Sequence, residues 1–347
     1  MTEFNPNGVG IKNGHIFSLP YSYQEAKLVL LPVPWEVTVS YNAGTANAPE
    51  AILEASSQLD LFDAHAENEF LNGIYMLKIS DEWKQKNKKF RIKANEYIKL
   101  LESGADLSAN TAVQKNVQEI NEECDALRKW VFEETTKLLN ENKLVGLIGG
   151  DHSTPLGYFQ AIGKKYGEFA IVQFDAHADL RNAYEGFTYS HASVMFNALK
   201  IEELTNLFQI GIRDLSPEEY ALTQSHPKIK TFFDWDLKEQ LIHGKSWADI
   251  TNDIIEQLPQ NIYISFDIDG LERSFCPNTG TPVAGGYSFD QAVYIIRKIV
   301  DSGRKIIGFD LNEVSSGDQP ESEWDGNVGA RILYKLCGWT VLSNLDQ

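Results

Sequence analysis

Three short stretches carry residue types that hold divalent cations and activate water: Gly149-Gly150-Asp151-His152-Ser153, Asp175-Ala176-His177-Ala178-Asp179 and Asp267-Ile268-Asp269. Each follows an apolar run, Leu144 to Ile148, Ala170 to Phe174 and Ile262 to Phe266. Residues two apart in a β-strand share a face. A strand pitch persisting past the apolar run would therefore turn Asp175, His177 and Asp179 the same way, and likewise Asp267 and Asp269. Four carboxylates meeting two imidazoles repel unless cations sit among them. Mixed oxygen and nitrogen donors suit Mn²⁺ and its neighbours better than a sulfur-loving metal. Two such ions sharing carboxylates lower the pKa of a bridging water, giving hydroxide near neutrality. The expectation is a two-metal hydrolase with His152, Asp175, His177, Asp179, Asp267 and Asp269 as ligands.

The elements that must position these groups are legible as alternating patterns. Strand-like runs recur at Leu28–Val33, Leu144–Ile148, Ala170–Phe174, Leu207–Ile212, Ile229–Phe233, Ile262–Phe266 and Lys305–Phe309. Amphipathic helical patterns lie between many of them, at Pro49–Phe62, Ile120–Asn140, Pro155–Tyr166, Ser190–Leu199, Trp247–Gln257, Phe289–Ser302 and Val328–Cys337. This alternation implies right-handed crossovers and a three-layer α/β/α, doubly wound, mostly parallel sheet. Ligands bind such sheets beyond the carboxyl ends of the strands, where all the candidate metal ligands fall. The stretch from about 81 to 118 is the exception: polar, with Lys84, Lys86, Lys88, Lys89, Arg91 and Lys93. It reads as a solvated helical insertion within a single domain spanning 1–347, with a regulatory or subunit contact as the alternative. Trp35 and Trp324 read as core residues, with a place at the mouth of the pocket as the alternative.

Bulk properties narrow the partners. The 347 residues carry 49 acidic and 31 basic side chains, a formal net charge of −18. That balance argues against nucleic acid or an anionic membrane and favours a small cationic substrate. Cys124, Cys276 and Cys337 have no short spacing between them, so neither a thiolate site nor a disulfide framework is expected. The polar Met1 to Gly14 segment lacks an apolar signal core, and no run of 18 apolar residues occurs. A soluble, cytoplasmic protein is expected.

Binuclear phosphoesterases also combine Asp-x-His with a glycine–histidine turn, but there the Asp-x-His comes first. Here His152 precedes Asp175 and His177, an order that speaks against phosphorus and for a planar carbon centre. The order and wording resemble the ureohydrolase family, the arginases and agmatinases. The resemblance rests on Gly-Gly-Asp-His-Ser at 149–153, Phe-Asp-Ala-His-Ala-Asp-Leu-Arg at 174–181 and Ser-Phe-Asp-Ile-Asp-Gly-Leu at 265–271. It extends through 33–35, 43–45, 279–286 and 310–314, nearly the whole chain.

The resemblance implies an arginase-like fold and two Mn²⁺ per chain, with Ni²⁺, Co²⁺ or Fe²⁺ as alternatives. One ion would be held by His152, Asp175, Asp179 and Asp267, the other by Asp175, His177, Asp267 and Asp269. A bridging hydroxide would then attack the guanidinium carbon, oriented by a hydrogen bond to Asp179. His191 matches the family's proton-shuttle histidine, and Glu313 the carboxylate that pairs with the guanidinium in a fork-like geometry. Asp151 and Ser153 read as turn residues supporting the ligands. The family's trimers and hexamers imply a homo-oligomer.

The loop from Leu180 to Ser190 resembles the agmatinase version, which needs no clamp for an α-carboxylate. The expected reaction is agmatine to putrescine and urea. Glu185 would meet the distal amine, with Arg181 beside it adding positive charge. The family's usual Leu-Asp-Pro is replaced by Leu271-Glu272-Arg273, a departure that bears on the rim. Arginase, guanidine hydrolase and guanidinobutyrate hydrolase are the alternatives within this class. A zinc-dependent deacetylase or a non-catalytic metal-binding homologue are the alternatives outside it.

Overall fold

Strands buried on both faces need continuous apolar sequence, and the interior of this protein is built from such runs. The computed structural model describes residues 4–66, 69–107, 110–316 and 323–345. Its strands are β1 (Leu28–Pro32), β2 (Ile74–Met76), β3 (Leu144–Ile148), β4 (Phe169–Phe174), β5 (Leu204–Ile212), β6 (Ile229–Phe233), β7 (Asn261–Asp267) and β8 (Lys305–Asn312). They form one sheet in the order β2-β1-β3-β8-β7-β4-β5-β6. Every pairing is parallel. The expected mostly parallel sheet is thus wholly parallel. Its four central strands, β3, β8, β7 and β4, are the ones followed by the candidate site residues.

Helices cover both faces, as in a doubly wound layer structure. They are α1 (Ala48–Ser56), α2 (Asp81–Glu102), α3 (Thr111–Asn140), α4 (Leu156–Tyr166), α5 (Val194–Ala198), α6 (Pro217–Ser225), α7 (Asp234–Ile242), α8 (Trp247–Ile255), α9 (Phe289–Asp301) and α10 (Trp324–Ser343). One core lies under α1, α8, α9 and α10, the other under α2, α3, α4 and α5. Helix α9 shows how sequence makes such an element. Ser288 and Gln291 form a capping box, and Ala292, Ile295, Ile296 and Ile299 bury one stripe.

The 81–118 stretch departs from its reading as solvated. Helix α2 is capped by Ser80, whose hydroxyl accepts from the Trp83 amide. It buries Trp83, Phe90, Ala94, Tyr97 and Ile98. Its lysines reach neighbouring acids: Lys86 lies 2.8 Å from Glu123, Lys93 pairs with Glu119 and Lys84 with Glu50. Polar composition hid a narrow apolar stripe flanked by cation–carboxylate pairs. Residues 108–109 of this stretch lie outside the described ones. Helix α3 begins at Thr111 rather than near Ile120, capped by Asn110.

Other differences have local causes. Strand β2 has three residues, too few for a periodic signal, and α6 has almost no apolar face, with only Glu219 and Thr223 buried. The helix expected from Ser190 begins as a 3₁₀ turn at His191–Ser193 before the short α5. Trp35 is fully buried as expected, whereas Trp324 is half exposed. No helix among the described residues is long and apolar enough to cross a membrane.

Helices α3 and α4 approach closely enough that a Cβ on Gly157 would lie 2.1 Å from the Arg128 carbonyl oxygen. Gly157→Ala must therefore push two helix backbones apart. The expected loss is about 1–3 kcal/mol, the usual range for overpacking, measured by denaturant unfolding against the unmodified protein.

Candidate active site

The site is assembled from the carboxyl ends of four adjacent strands. His152 follows β3, Asp175, His177 and Asp179 follow β4, Asp267 ends β7 with Asp269 behind it, and Glu313 follows β8. The strand pitch continues only as far as His177, which forms a parallel bridge with Asp214. Asp179 then adopts φ of 54°, the left-handed region that Asp tolerates better than most residues. Asp269 sits within a 3₁₀ turn, Ile268–Gly270. The convergence anticipated from alternation is real, but turns complete it at Asp179 and Asp269.

Nδ1 of His152 lies 3.0 Å from Asp175 Oδ2, 3.0 Å from Asp179 Oδ2 and 3.3 Å from Asp267 Oδ2. Nδ1 of His177 lies 3.1 Å from Asp269 Oδ2 and 3.6 Å from Asp175 Oδ1. Two clusters could each hold an ion: His152 with Asp175 and Asp267, and Asp175 with His177 and Asp269. Asp175 belongs to both. Asp267 groups only with the first, and its Oδ1 accepts from the Asp269 amide at 2.8 Å.

The other ring nitrogen of His152 decides what its Nδ1 can do. Nε2 lies 2.9 Å from Ser265 Oγ, and that hydroxyl donates to Asp310 Oδ1 at 3.0 Å. Its proton being committed to a carboxylate, Ser265 can only accept from the imidazole. Nε2 therefore carries the hydrogen in the neutral ring, and Nδ1 presents a bare lone pair to three carboxylates. Buried Nδ1 and Asp179 Oδ2 have no hydrogen-bond partner of sound geometry. A lone pair facing anions is repulsive unless a proton or a cation lies between them.

The electrostatics point the same way. Burial, then the neighbouring Asp269 and Asp175, pushes the Asp267 carboxyl well up. Burial and Asp175 lift Asp179 to about 7. Burial opposes charge on His152, yet Asp175, Asp179 and Asp267 raise it well above an ordinary histidine. Without a cation the cluster thus holds on to protons. The donor set fits a pair of oxygen- and nitrogen-loving divalent ions, which would replace those protons.

Buried strand residues fix the acids. Gln173 Nε2 donates to Asp175 Oδ2 at 2.8 Å, Gln209 to Gln173 Oε1 at 2.8 Å, and Thr231 to Gln209 Oε1 at 2.8 Å, across β4, β5 and β6. Thr154 donates to Asn312 Oδ1 at 2.7 Å, and Asn312 donates to Asp310 at 2.5 Å. Asp151 accepts from Ser153 and, at 3.1 Å, from Thr38 Oγ1, in keeping with a turn residue. The motifs contain Ser265 and Asp310 without giving them a role, and they leave out Gln173 and Gln209. Polar residues inside otherwise apolar strands were the available signal.

A cavity of about 280 Å³ opens over the acids, lined among others by His177, Asp179, His191, Arg181, Tyr184, Asp214 and Glu219. His191 is 8% exposed. Its amide donates to Thr38 Oγ1 at 3.1 Å. Burial, with positive charge on His177 and Arg91, lowers its imidazole to about 3. Glu313 is buried at φ of 61°. Its Oε1 accepts from the His152 amide at 2.9 Å, and a Cβ on Gly280 would crowd its Oε2 at 2.8 Å. Burial, then Asp151, raises its carboxyl well above the ordinary range, so a cationic guest would be stabilised there.

Two rim residues differ from their expected settings. Arg181 Nε lies 3.4 Å from Glu219 Oε2, and its guanidinium stacks 4.6 Å over Tyr184. Its charge is answered by Glu219 rather than added to the rim. Glu219, the capping-box acid of α6, also accepts from the Leu180 amide at 3.1 Å. Glu185 does not line the cavity. Burial and Glu102 lift its carboxyl to about 7, against the pull of Arg91 and Arg181.

Comparison with known proteins agrees with this geometry. Residues 26–338 match the model of the arginase family. The chain is 29% identical over 319 residues to an N(1)-aminopropylagmatine ureohydrolase of Thermus thermophilus, covering 91% of each. It is 30% identical over 317 residues to the enzyme of that name from Thermococcus kodakarensis, again 91% of each. An agmatinase of Halalkalibacterium halodurans is 27% identical over 332 residues, 94% of this chain and 97% of that one. The fold is shared with the agmatine ureohydrolase of Thermoplasma volcanium, at TM-score 0.70 and 22% identity over 95% of both chains. It is also shared with the proclavaminate amidino hydrolase of Streptomyces clavuligerus, at TM-score 0.73 and 20% identity over 97% of this chain and 100% of that one. The chain belongs to the arginase family and is a ureohydrolase.

Asp175→Ala is expected to remove the carboxylate common to both clusters and abolish binding of both ions. Asp269→Ala should spare one. Elemental analysis after dialysis against Mn²⁺ distinguishes them; two ions retained by Asp175→Ala would contradict the shared-ligand geometry.

Proposed function

We propose that this protein hydrolyses a guanidino compound to urea and an amine, with agmatine giving putrescine as the first choice. Two divalent ions, Mn²⁺ in the first place, would be held by His152, Asp175, Asp179 and Asp267 and by Asp175, His177 and Asp269, with Asp267 as a second shared ligand. The observation that carries this reading is the bare Nδ1 of His152 aimed at three carboxylates. When bound, the ions supply a water of lowered pKa as nucleophile.

The chain's own residues account for the rest. Glu313 offers a desolvated carboxylate to the planar guanidinium, a pairing favoured by charge-assisted hydrogen bonds. One C–O bond forms, the C–N bond to the alkyl nitrogen breaks, and a proton from water ends on the departing amine. His191, buried and neutral, can accept that proton and pass it on. Asp179 would orient the attacking water by accepting its hydrogen bond. Arg181, tied to Glu219, would shape the rim rather than contact a carboxylate.

The neighbouring N(1)-aminopropylagmatine ureohydrolases favour a second reading, in which the leaving amine carries an aminopropyl extension. The cavity supports it: Asp214 lines the opening and its side chain is 66% exposed, able to meet an additional ammonium. Glu185 stands behind the rim and is the weaker candidate for that contact. The three buried free cysteines fit a reducing, cytoplasmic setting, and the family favours a trimer or hexamer.

Urea release from Mn²⁺-loaded protein, measured across agmatine, N(1)-aminopropylagmatine, arginine, guanidinobutyrate and guanidine, tests the proposal; no urea from any of them would overturn it. His191→Ala should retain both ions and lower kcat by roughly 10²-fold or more, the scale of acid–base groups. Glu313→Gln should raise KM by roughly ten- to a hundredfold, since hydrogen bonds between charged groups are worth about 1.5–3 kcal/mol, with metal content unchanged.

A further inference from the structure

We propose that α2 is a positioning strut for the active site. One stripe of α2, Trp83, Asn87 and Arg91, fixes the backbone of segment 33–42 so that Thr38 holds His191 in place. The inference rests on the proton-relay reading of His191 given above. The three residues are spaced by four along the helix and so share a face.

The segment needs outside support. It leaves β1 and runs without regular structure to Asn42, so its backbone polar groups must find partners elsewhere. The ends are held by Ile148 and Gly280, whose carbonyls accept from the Val33 and Asn42 amides; helix α2 supplies partners for the middle. The Glu36 amide donates to Asn87 Oδ1 at 2.8 Å, where Asn87 is 6% exposed. Arg91 Nη1 donates to the carbonyl of Val37 at 3.3 Å and also to that of Val39. Trp83 meets buried Trp35 edge to face, ring centroids 5.7 Å apart. These contacts bracket Thr38 on both sides.

Thr38 passes that constraint into the site. Fully buried, its hydroxyl lies 3.1 Å from Asp151 Oδ2, 3.1 Å from the His191 amide nitrogen and 3.5 Å from His191 Nδ1. The Trp35 carbonyl accepts from the Asp151 amide at 2.8 Å, joining the same segment to the turn that carries His152. Arg91 suits this task because its Nη1 alone reaches both carbonyls and its positive charge lies in the field of Glu36, Asp151 and Glu185. Helix α2 is therefore coupled to a catalytic group that it does not touch.

The test uses the full-length Mn²⁺-loaded protein, with amide hydrogen exchange followed in peptides spanning 33–42 and steady-state kinetics on the guanidino substrate that the panel identifies. Asn87→Ala and Arg91→Ala should speed exchange in that segment and lower kcat at least about tenfold. A misplacement of about 1 Å can cost about 10²-fold. KM should stay within about twofold, and both ions should remain. Asn87→Asp, which keeps the acceptor, should restore slow exchange and most of kcat. Thr38→Val should lower kcat similarly while leaving exchange of the segment slow. Unchanged exchange in both alanine variants would overturn the strut. So would faster exchange with normal kcat, or a uniform loss of stability that Asn87→Asp does not rescue. Because exchange is read without substrate, failure of the strut is separable from failure of the substrate reading, which would show as no urea release from the unmodified protein.

Discussion

A lone pair on buried His152 directed at three carboxylates is the constraint on which the site depends. In an apolar interior such a contact is repulsive, and the surrounding hydrogen bonds prevent it from relaxing. Ser265 and Asp310 hold the far side of the ring, Gln173 holds Asp175, and the Asp269 amide holds Asp267. The fold thus fixes a concentration of negative charge that only positive charge can make comfortable. An acidic cluster of this kind favours positive charge at one place, which is what the proposed divalent ions and cationic substrate would bring.

The sheet makes the concentration possible. In a wholly parallel sheet every strand ends at the same edge, and the four strands that carry site residues are neighbours at its centre. Fragments more than a hundred residues apart, such as His152 and Asp267, therefore meet without long unsupported loops. Polar side chains inside these strands are otherwise expensive. Here Gln173, Gln209, Ser265 and Asp310 are paired with one another or with Asp175 and His152, so burial holds the polar network in a single arrangement.

The periphery follows the same logic at lower charge density. Arg181 is matched by Glu219 and stacked on Tyr184, which leaves the cavity mouth acidic through Asp214. On the opposite side, α2 turns a lysine-rich stretch into a supporting helix. Its cations meet Glu50, Glu119 and Glu123, while Trp83, Asn87 and Arg91 face inward. Exposed ion pairs of this kind add little stability individually; the buried stripe is what anchors the helix.

The alternation of apolar runs and amphipathic stretches was enough to give the layered parallel architecture, because burial on both faces writes itself into composition and period. The clustering of these acids and imidazoles at one sheet edge was legible too, since Asp and His at two-residue spacing follow apolar strands that end side by side. What the chain alone left undecided depended on contacts distant in sequence. Polarity made 81–118 read as solvated, although α3, segment 33–42 and Phe187 bury its apolar stripe. Alternation placed Asp179 and Asp269 correctly on the rim but not their turns, because φ of 54° and a 3₁₀ turn are imposed by neighbouring strands. Arg181 could be seen as a charge in the sequence; only the packing of α6 brought Glu219 within 3.4 Å of it. Tertiary structure likewise chose the proton-bearing nitrogen of His152, since that choice belongs to Ser265 and Asp310, residues on two other strands.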